Sequence, residues 1–391
     1  MQRRDFLGCL GGLGLGAGLM ALSPQLALAA ARPGRYERLL ILVELKGGND
    51  GLNTLVPYAD PVYRELRPRI GIRREDVLQL DDKAGLHPAL QPIMPLWQGG
   101  ELALIQGVGY PHANLSHFRS IEIWETASSA EQLRNEGWLA RTFALAPPPA
   151  TYTADGVVVG SQEMGPLAGT GLRSIALSNA DQFLRQARLA HPASASGGGA
   201  LAHILKVEGD IAQAANRLAA APQLMRTEFP RGGFGDTVKT ACQVAAAGNG
   251  VAALRLTLNG FDTHQNQPGT QTGLLKQLAE GLLALRAGLM ELGRWDSTLV
   301  LSYGEFGRRA KENQSNGTDH GTASVHFACG GRVKGGLYGA TPPLDRLDGN
   351  GNLAFSVDFR SLYATALERW WGLPSVEVLG GRFEPLDLLK S

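Results

Sequence analysis

Residues 38–51, RLLILVELKGGNDG, combine an almost continuous apolar run with a glycine-rich turn. A short apolar run without alternation is typical of a strand that is buried on both faces, as in a parallel sheet. The turn places Asp50 directly after this strand, at its carboxyl end. These residues therefore predict an α/β fold with a mostly parallel central sheet flanked by helices.

Other segments of the chain fit the same architecture. Further strands are predicted at residues 102–108, 251–258, 298–303 and 324–329, and helices at residues 116–125 and 273–292. The order strand, helix, strand between residues 251 and 303 predicts a right-handed parallel crossover. Residues from about 181 to 224 contain a glycine-rich break and then an alanine-rich helical pattern. We therefore expect a helical insertion there, within a single domain that spans residues 31–391.

The N-terminus carries the features of a twin-arginine secretion signal. Arg3 and Arg4 precede a long apolar stretch, and the small residues of a cleavage site follow at 27–29. The alternative is an uncleaved membrane anchor, but the glycines within the stretch weaken its insertion. We expect residues 1–30 to be removed after passage through the twin-arginine translocase. The mature chain is then expected to be periplasmic or secreted, without a membrane span.

Charge and cysteine content exclude some classes of function. The chain contains 37 Lys and Arg residues against 36 Asp and Glu residues. Removal of residues 1–30 takes away two arginines and one aspartate, which leaves no formal net charge. A nucleic-acid partner would require a basic face, so this balance argues against one. Only Cys242 and Cys329 would remain, too few for a disulfide framework, and the sequence leaves their pairing open.

Acidic and imidazole side chains are concentrated where the predicted strands end. In open α/β sheets, the carboxyl ends of the strands form the ligand-binding edge. Six residues are candidate metal ligands: Asp50, Asp262, His264, Glu305, Asp319 and His320. Carboxylates and imidazoles gathered at one edge destabilise one another unless a cation compensates. Mixed Asp, Glu and His sets suit a divalent metal, most often zinc or manganese, and we expect one or two ions.

These candidates also have purely structural interpretations. Asp50 could stabilise its own turn, as Asp and Asn often do. Asp262 and His264 could cap the helix that follows, and Glu305 could pair with a neighbouring arginine. Histidines without a strand-end context are expected to be surface or packing residues: His87, His191 and His203.

Ser116 is the candidate nucleophile. It begins the predicted helix, so its hydroxyl would lie at the positive end of the helix dipole, close to unpaired backbone N–H groups. That position suits attack on a phosphate or sulfate, with a metal ion to assist deprotonation. The alternative is a serine that only caps the helix, which is a common role. The chain has neither the Gly-x-Ser-x-Gly elbow of esterases nor a nucleotide-binding phosphate loop.

Several motifs occur in a consistent order between residues 39 and 338: LVELKGGNDGLNTLVP, LSHFRSIEIWET, GFDTHQNQ, GEFGRR, GTDHGT and GGRVKGG. With the twin-arginine start, they make the chain resemble the domain-of-unknown-function 1501 family. By fold, that family is placed in the alkaline phosphatase and sulfatase superfamily, whose members resemble one another in a two-metal hydrolytic site. The resemblance implies an alkaline-phosphatase-like fold, and an activity follows only by analogy.

The resemblance also implies roles for single residues. The superfamily's first-strand metal aspartate matches Asp50, and its nucleophile at the start of a helix matches Ser116. Its first Asp and His ligands match Asp262 and His264, although their spacing here is shorter than in phosphatases.

Two arrangements stay open for the other ligands. In the preferred one, Glu305 replaces the Asp-His pair that usually follows the next strand, and His320 is the last metal histidine. In the other, Asp319 and His320 are the displaced pair and His326 is the last ligand. His326 lies in an apolar strand and is otherwise expected to be a core residue or to support a ligand from behind.

Two functions therefore remain open. The first is an exported metal-dependent hydrolase of phosphate or sulfate esters, which acts on an anionic ester or a cell-surface polymer. The second is a non-catalytic exported protein that keeps the fold and takes part in binding or envelope assembly. The strand-end residues and the helix-start serine favour the hydrolase, whereas the missing Asp-His pair favours the second function. Residues 116–119 differ from the sulfatase nucleophile motif, so a formylglycine sulfatase is not expected.

Overall fold

The computed structural model describes residues 34–177, 225–246 and 250–390. The described residues belong to one compact unit. The predicted export signal, residues 1–30, and the predicted helical insertion, about 181–224, lie outside the described residues. Among the helices of the described residues, none is both long and apolar enough to cross a membrane.

Strands of the described residues form a large sheet and a small one. The strands are β1 (Leu39–Lys46), β2 (Leu55–Val56), β3 (Leu78–Gln79), β4 (Gly85–Leu86), β5 (Leu102–Gly109), β6 (Ala154–Val159), β7 (Ser174–Leu177), β8 (Val251–Asn259), β9 (Thr298–Tyr303), β10 (Ser324–Cys329), β11 (Gly336–Tyr338) and β12 (Val357–Asp358). The large sheet has the order β11-β5-β10-β9-β1-β8-β6-β7, and β12 also pairs with β5. The small sheet has the order β2-β4-β3.

Helices cover the sheet and occupy several connections. The α-helices are α1 (Pro61–Leu66), α2 (Met94–Gln98), α3 (His117–Thr126), α4 (Trp138–Leu145), α5 (Gly233–Ala246), α6 (Gln267–Glu291), α7 (Phe359–Ala364) and α8 (Val376–Leu379). A π-helical segment, Thr365–Trp371, continues α7. Short 3-10 helices lie at Gly51–Asn53, Pro88–Ile93, Gly165–Leu167 and Trp295–Ser297.

The predicted α/β fold with a mostly parallel sheet is confirmed. Strand β1 pairs in parallel with β8 on one side and β9 on the other, and β6 and β7 continue the parallel set. The exception is β10, which runs antiparallel to both β9 and β5. Helix α6 connects β8 to β9, so the predicted strand, helix, strand unit forms a parallel connection that passes over β1.

Burial on both faces explains the continuous apolar sequence of β1. Leu39, Ile41 and Val43 pack into the core that contains α5 and α6. Leu40 and Leu42 point to the other face, into a core rich in tryptophan and tyrosine. Because both faces are covered, a polar residue on β1 would be buried wherever it stood.

The helix bounds differ from the prediction mainly at α6. Helix α3 follows Ser116, which is its N-cap residue as predicted. Helix α6 begins at Gln267 rather than near residue 273, with Pro268 in its first turn. Gln267 and Gln271 are buried polar residues on this first part of the helix. Apolar periodicity cannot detect a helical face that is buried against polar groups, which accounts for the missed turn and a half.

Candidate functional site

Three loops at the carboxyl edge of the large sheet form the candidate site. They follow β1, β8 and β9, which are neighbours in the sheet. Gly47, directly after β1, has a φ of 114°, and a Cβ atom there would lie 2.4 Å from the backbone nitrogen of Asp262. Only glycine can therefore let the β1 loop approach the β8 loop so closely.

Arg308 holds these loops together from within. Its guanidinium is fully buried and donates hydrogen bonds to the carbonyl oxygens of Gly47, Gly48, Phe261 and Thr318. It also donates to Asp262 Oδ1 at 2.8 Å. One side chain thus fixes the loops after β1 and β8 to the segment that carries Asp319 and His320.

Asp262 lies at the centre of three imidazole rings. Its Oδ1 is 3.1 Å from His264 Nε2 and 3.2 Å from His320 Nε2, and its Oδ2 is 3.4 Å from His117 Nε2. Ligand atoms of His117, Asp262 and His320 all lie within 4.8 Å of one another. We call these three residues, together with His264, the imidazole cluster.

The carboxyl of Asp262 is adapted to remain ionised. Its partial burial alone would raise its pKa. The hydrogen bond from Arg308, the contact with His320 and the charges of Arg308 and His264 outweigh that effect and lower the pKa to about 2. The carboxylate therefore offers its lone pairs to a cation over the whole physiological pH range.

His320 is oriented by the loop before helix α3. Its Nδ1 lies 2.8 Å from the carbonyl oxygen of Leu115. Because a carbonyl oxygen can only accept, Nδ1 carries the hydrogen, and Nε2 of the neutral ring keeps its lone pair. Burial lowers the pKa of His320, which favours that neutral form. The His264 and His320 Nε2 atoms are 2.9 Å apart, so they must share a hydrogen or a cation.

His117 is a member of the cluster that the sequence prediction missed. It is the first residue of α3, and its Nδ1 is hydrogen-bonded to Glu305 Oε1. Its Nε2 is then left to face Asp262, and the ring of Phe306 packs against it with centroids 4.9 Å apart. The sequence feature that could have identified His117 is its position directly after Ser116, at the start of the predicted helix.

Glu305 supports an imidazole rather than facing the cluster itself. Its side chain is buried, and Oε1 accepts hydrogen bonds from His117 and, at 3.1 Å, from the Gly47 nitrogen. Burial raises the pKa of Glu305, and the hydrogen bond from His117 opposes that shift. A carboxylate behind a histidine is the usual outer contact that orients a metal ligand. These contacts do not support the alternative interpretation, in which Glu305 pairs with a neighbouring arginine.

Asp319 lies at the outer side of His264. Its Oδ1 is 3.6 Å from His264 Nδ1 and accepts a hydrogen bond of 3.2 Å from Asn313. Its Oδ2 is 3.9 Å from Arg309. Asp319 therefore lies beside His264 at a distance longer than a hydrogen bond, unlike Glu305 at His117.

Asp50 lies apart from the imidazole cluster, in a buried ion pair. Its Oδ2 is 2.5 Å from Arg67 Nη1, its Oδ1 is 3.0 Å from Arg67 Nη2, and both side chains are almost fully buried. Gln267 donates to Oδ2 at 2.5 Å, and the Leu52 nitrogen donates to Oδ1 at 3.2 Å. The turn-stabilising interpretation of Asp50 therefore fits the structure, and a guanidinium supplies the cation that its charge requires.

Two other histidines have structural surroundings. His326 is buried in β10, where its Nδ1 is 3.2 Å from Ser302 Oγ, and burial lowers its pKa to about 3. It packs against Trp124, so the arrangement with His326 as the last ligand has no support in this geometry. His87 is also buried, and its Nδ1 accepts a hydrogen bond from the Ala89 nitrogen at the start of a 3-10 helix.

Ser116 is exposed between two residues that serve the imidazole cluster. Leu115 precedes it and accepts the hydrogen bond from His320, and His117 follows it. The Ser116 hydroxyl makes no capping hydrogen bond to the backbone of α3, although it occupies the N-cap position. The alternative in which Ser116 only caps the helix therefore has no hydrogen bond to support it.

The donor set of the cluster fits a divalent metal. The two imidazole nitrogens and one carboxylate of His117, His320 and Asp262, with His264 next to them, are ligand types that zinc prefers and manganese accepts. Two of the imidazoles have their far nitrogens fixed, by Glu305 and by the Leu115 carbonyl. Among the described residues, Cys242 and Cys329 are free and buried, and they lie in the core rather than in this set.

Comparison with solved structures finds distant relatives by shape. A protein in the alkaline phosphatase superfamily from Vibrio parahaemolyticus is 10% identical, with a TM-score of 0.41 over 89% of this chain and 70% of its own. The phosphonate monoester hydrolase SpPMH from Silicibacter pomeroyi is 9% identical, with a TM-score of 0.40 over 89% and 75%. The lipoteichoic acid synthase LtaP from Listeria monocytogenes is 10% identical, with a TM-score of 0.34 over 78% and 67%. Likeness this loose carries no residue role or activity over to this chain.

Sequence comparison is more decisive. No curated protein matches the chain. A family model described as a protein of unknown function (DUF1501) matches residues 91–379. That range contains α3 and the loops with the imidazole cluster, and it covers well over half of the sequence. The protein therefore belongs to the DUF1501 family, as its motifs predict.

Proposed function

We propose that this protein is an exported metal-dependent hydrolase of phosphate or sulfate esters, with Ser116 as its nucleophile. The observation that carries the proposal is the imidazole cluster around Asp262, directly beside an exposed serine at the start of α3. Export through the twin-arginine pathway belongs to the proposal, because Arg3 and Arg4 precede an apolar stretch with a cleavage site.

The proposed metal site consists of His117, Asp262, His264 and His320, and it holds one divalent ion, zinc or manganese. When bound, such an ion supplies Lewis acidity at the sheet edge. Glu305 keeps the His117 ring in place, since a carboxylate on the far nitrogen fixes both tautomer and orientation.

Ser116 would perform the covalent step. Its Oγ attacks the phosphorus or sulfur atom while its proton passes to water. The bond to the alcohol oxygen breaks, and that oxygen takes up a proton from water so that the alcohol leaves. Backbone N–H groups at the start of α3 face the non-bridging oxygens and stabilise their negative charge. A water molecule then hydrolyses the serine ester, which releases the inorganic anion and restores Ser116.

One observation favours a second candidate, a non-catalytic binding protein. Asp50, the aspartate that the family resemblance matches to a metal ligand, has both oxygens engaged by Arg67, Gln267 and Leu52. A two-ion site is therefore incomplete on this side of the sheet, and one metal could serve binding alone.

Hydrolysis tests separate the two functions. We expect the metal-loaded protein to hydrolyse 4-nitrophenyl phosphate or 4-nitrophenyl sulfate, Ser116→Ala to abolish turnover with metal retained, and Ser116→Thr to keep part of it. Asp60→Ala is the matched control, because Asp60 caps α1 through the Val62 nitrogen at 2.9 Å. That variant should lose about 1 kcal/mol of stability and keep its rate. Full activity in folded Ser116→Ala would refute the nucleophile.

The export prediction is tested with the full-length chain. Replacement of Arg3 and Arg4 together by Lys should leave the precursor in the cytoplasm, because the paired arginines are what the translocase recognises. Immunoblots of cell fractions measure the distribution. Unchanged delivery of the mature protein outside the cytoplasm would rule out the twin-arginine pathway.

A further inference from the structure

A cleft of about 540 Å³ opens beside the imidazole cluster. It contacts His117 and Glu305 at one end and continues along helix α3 to Thr126. That helix length corresponds to roughly 13 Å, at 1.5 Å per residue. Its volume lies within the range of about 300–1,000 Å³ that is usual for small-molecule sites. The cleft is thus long enough for a group that extends well beyond an ester at Ser116.

Most charged side chains in the cleft wall already have ion-pair partners, although Arg134 has none among the described residues. Lys46 Nζ is 2.6 Å from Glu163, and Glu122 is 2.7 Å from Arg119. A fully charged ligand would have to compete with these pairs for little electrostatic gain. A neutral ligand that donates and accepts hydrogen bonds can use both members of each pair without separating them.

Glu125 adds a further carboxyl to the lining of the cleft. Its Oε1 is 3.1 Å from Arg255, which is fully buried and shared with Glu44 at 2.7 Å. Burial raises the pKa of Glu125 to about 7, although the charge of Arg255 opposes that shift. A partly protonated carboxyl both donates and accepts hydrogen bonds, which is how a hydroxyl group is recognised.

The mouth of the cleft combines an aromatic ring with an amide. Phe118, the residue after His117, is 89% exposed, which is unusual for a ring of its size. Asn135, whose amide donates and accepts, also lines the cleft. An apolar face beside groups that bond hydroxyls matches a sugar ring, which has C–H groups on its faces and hydroxyls at its rim.

We propose that this cleft binds a neutral, polyhydroxylated group, and that the ester hydrolysed at Ser116 is therefore a sugar phosphate or sugar sulfate. The statement about the ester rests on the proposed hydrolase function. Binding of the sugar itself depends only on the cleft. The two parts can be measured separately.

Ligand-observed saturation-transfer NMR tests the cleft without any reaction. The probes are glucose, galactose, N-acetylglucosamine and maltose, with choline as a cationic and benzyl alcohol as an apolar comparison. We expect at least one sugar to bind saturably and Phe118→Ala to weaken its binding about fivefold. Leu133→Ala is the matched control, because Leu133 is 79% exposed and lies outside the cleft lining. Asn135→Ala should weaken sugar binding as well, with the fold unchanged.

The outcomes distinguish the cleft from the hydrolase. Binding of no sugar, equal binding by Phe118→Ala, or binding of only choline or benzyl alcohol would overturn the cleft proposal. Hydrolysis of 4-nitrophenyl esters without sugar binding would overturn it and leave the hydrolase in place. Sugar binding without hydrolysis of any ester would support the cleft and remove the hydrolase. In an active protein, Phe118→Ala should raise KM for glucose 6-phosphate more than for 4-nitrophenyl phosphate.

Discussion

The loops after β1 and β8 each place an aspartate at the same edge of the sheet, with opposite results. Asp50 is 1% exposed and forms a two-point ion pair with Arg67. Asp262 has a side chain that is 46% exposed and is surrounded by imidazoles. Arg67 engages both oxygens of Asp50, whereas Arg308 engages only Oδ1 of Asp262. A carboxylate at a strand end therefore indicates a metal ligand only when its guanidinium partner leaves an oxygen available.

The largest effect is expected from the loss of the ion pair between Asp50 and Arg67. Arg67→Met should destabilise the protein by about 3–5 kcal/mol, because it leaves Asp50 buried without a counter-ion. Urea denaturation measures the loss, and metal per folded chain should stay unchanged. Arg73→Ala is the control: the Arg73–Asp76 pair is exposed, so at most about 1 kcal/mol is expected. A loss of metal in folded Arg67→Met would mean that the two sides are one site.

A smaller effect is expected on the Asp262 side. Glu305→Gln should weaken metal binding about 10–100-fold, because His117 loses the carboxylate that orients its ring. Competition with a chelator measures the affinity. Glu312→Gln is the control, since Glu312 is also a buried carboxyl and binds Arg69 on the Asp50 side. Equal metal affinity in parent and Glu305→Gln would contradict the supporting role.

The smallest effect concerns pH and His87, which lies on the Asp50 side. Burial lowers its pKa from 6.5 to about 4, and the charge of Asp50 only partly opposes this. The unfolded chain therefore binds the proton more readily, so stability is complete above pH 6.5 and is lost as the pH falls towards 4. The expected slope is about 1.4 kcal/mol per pH unit.

His87→Asn should flatten that slope, because Asn can accept the same bond from Ala89 without titrating. Urea denaturation at a series of pH values gives the slope. Exposed His112, changed to Asn, serves as the control and should leave it as in the parent. A parent-like slope in His87→Asn would assign the acid sensitivity to other groups.

The sequence predicted the sheet better than the site. Apolar runs identified β1, β5, β8, β9 and β10, because both faces of the large sheet are covered. Asp262, His264 and His320 were named as candidates, and the structure brings them together. Their role as metal ligands stays a prediction.

What the sequence could not give was the choice of partner for each charge. Arg67 lies 17 residues from Asp50, and Glu305 lies 188 residues from His117. No local pattern encodes such pairs, because they depend on how loops from separate strands meet. For that reason the sequence analysis missed His117. For the same reason it named Asp50 as a candidate metal ligand without detecting its pairing with Arg67.

The contacts of Arg308 have a consequence for the order of events during biosynthesis. Its bonds to Gly47 and Phe261 span 261 and 47 positions of the chain. A ribosome therefore adds His117 about 200 residues before His320, when neither Arg308 nor Glu305 has yet been made. Binding of the proposed metal would then have to follow translation of most of the polypeptide. A nascent chain that pauses before residue 320 would leave His117 without a partner in the proposed metal site.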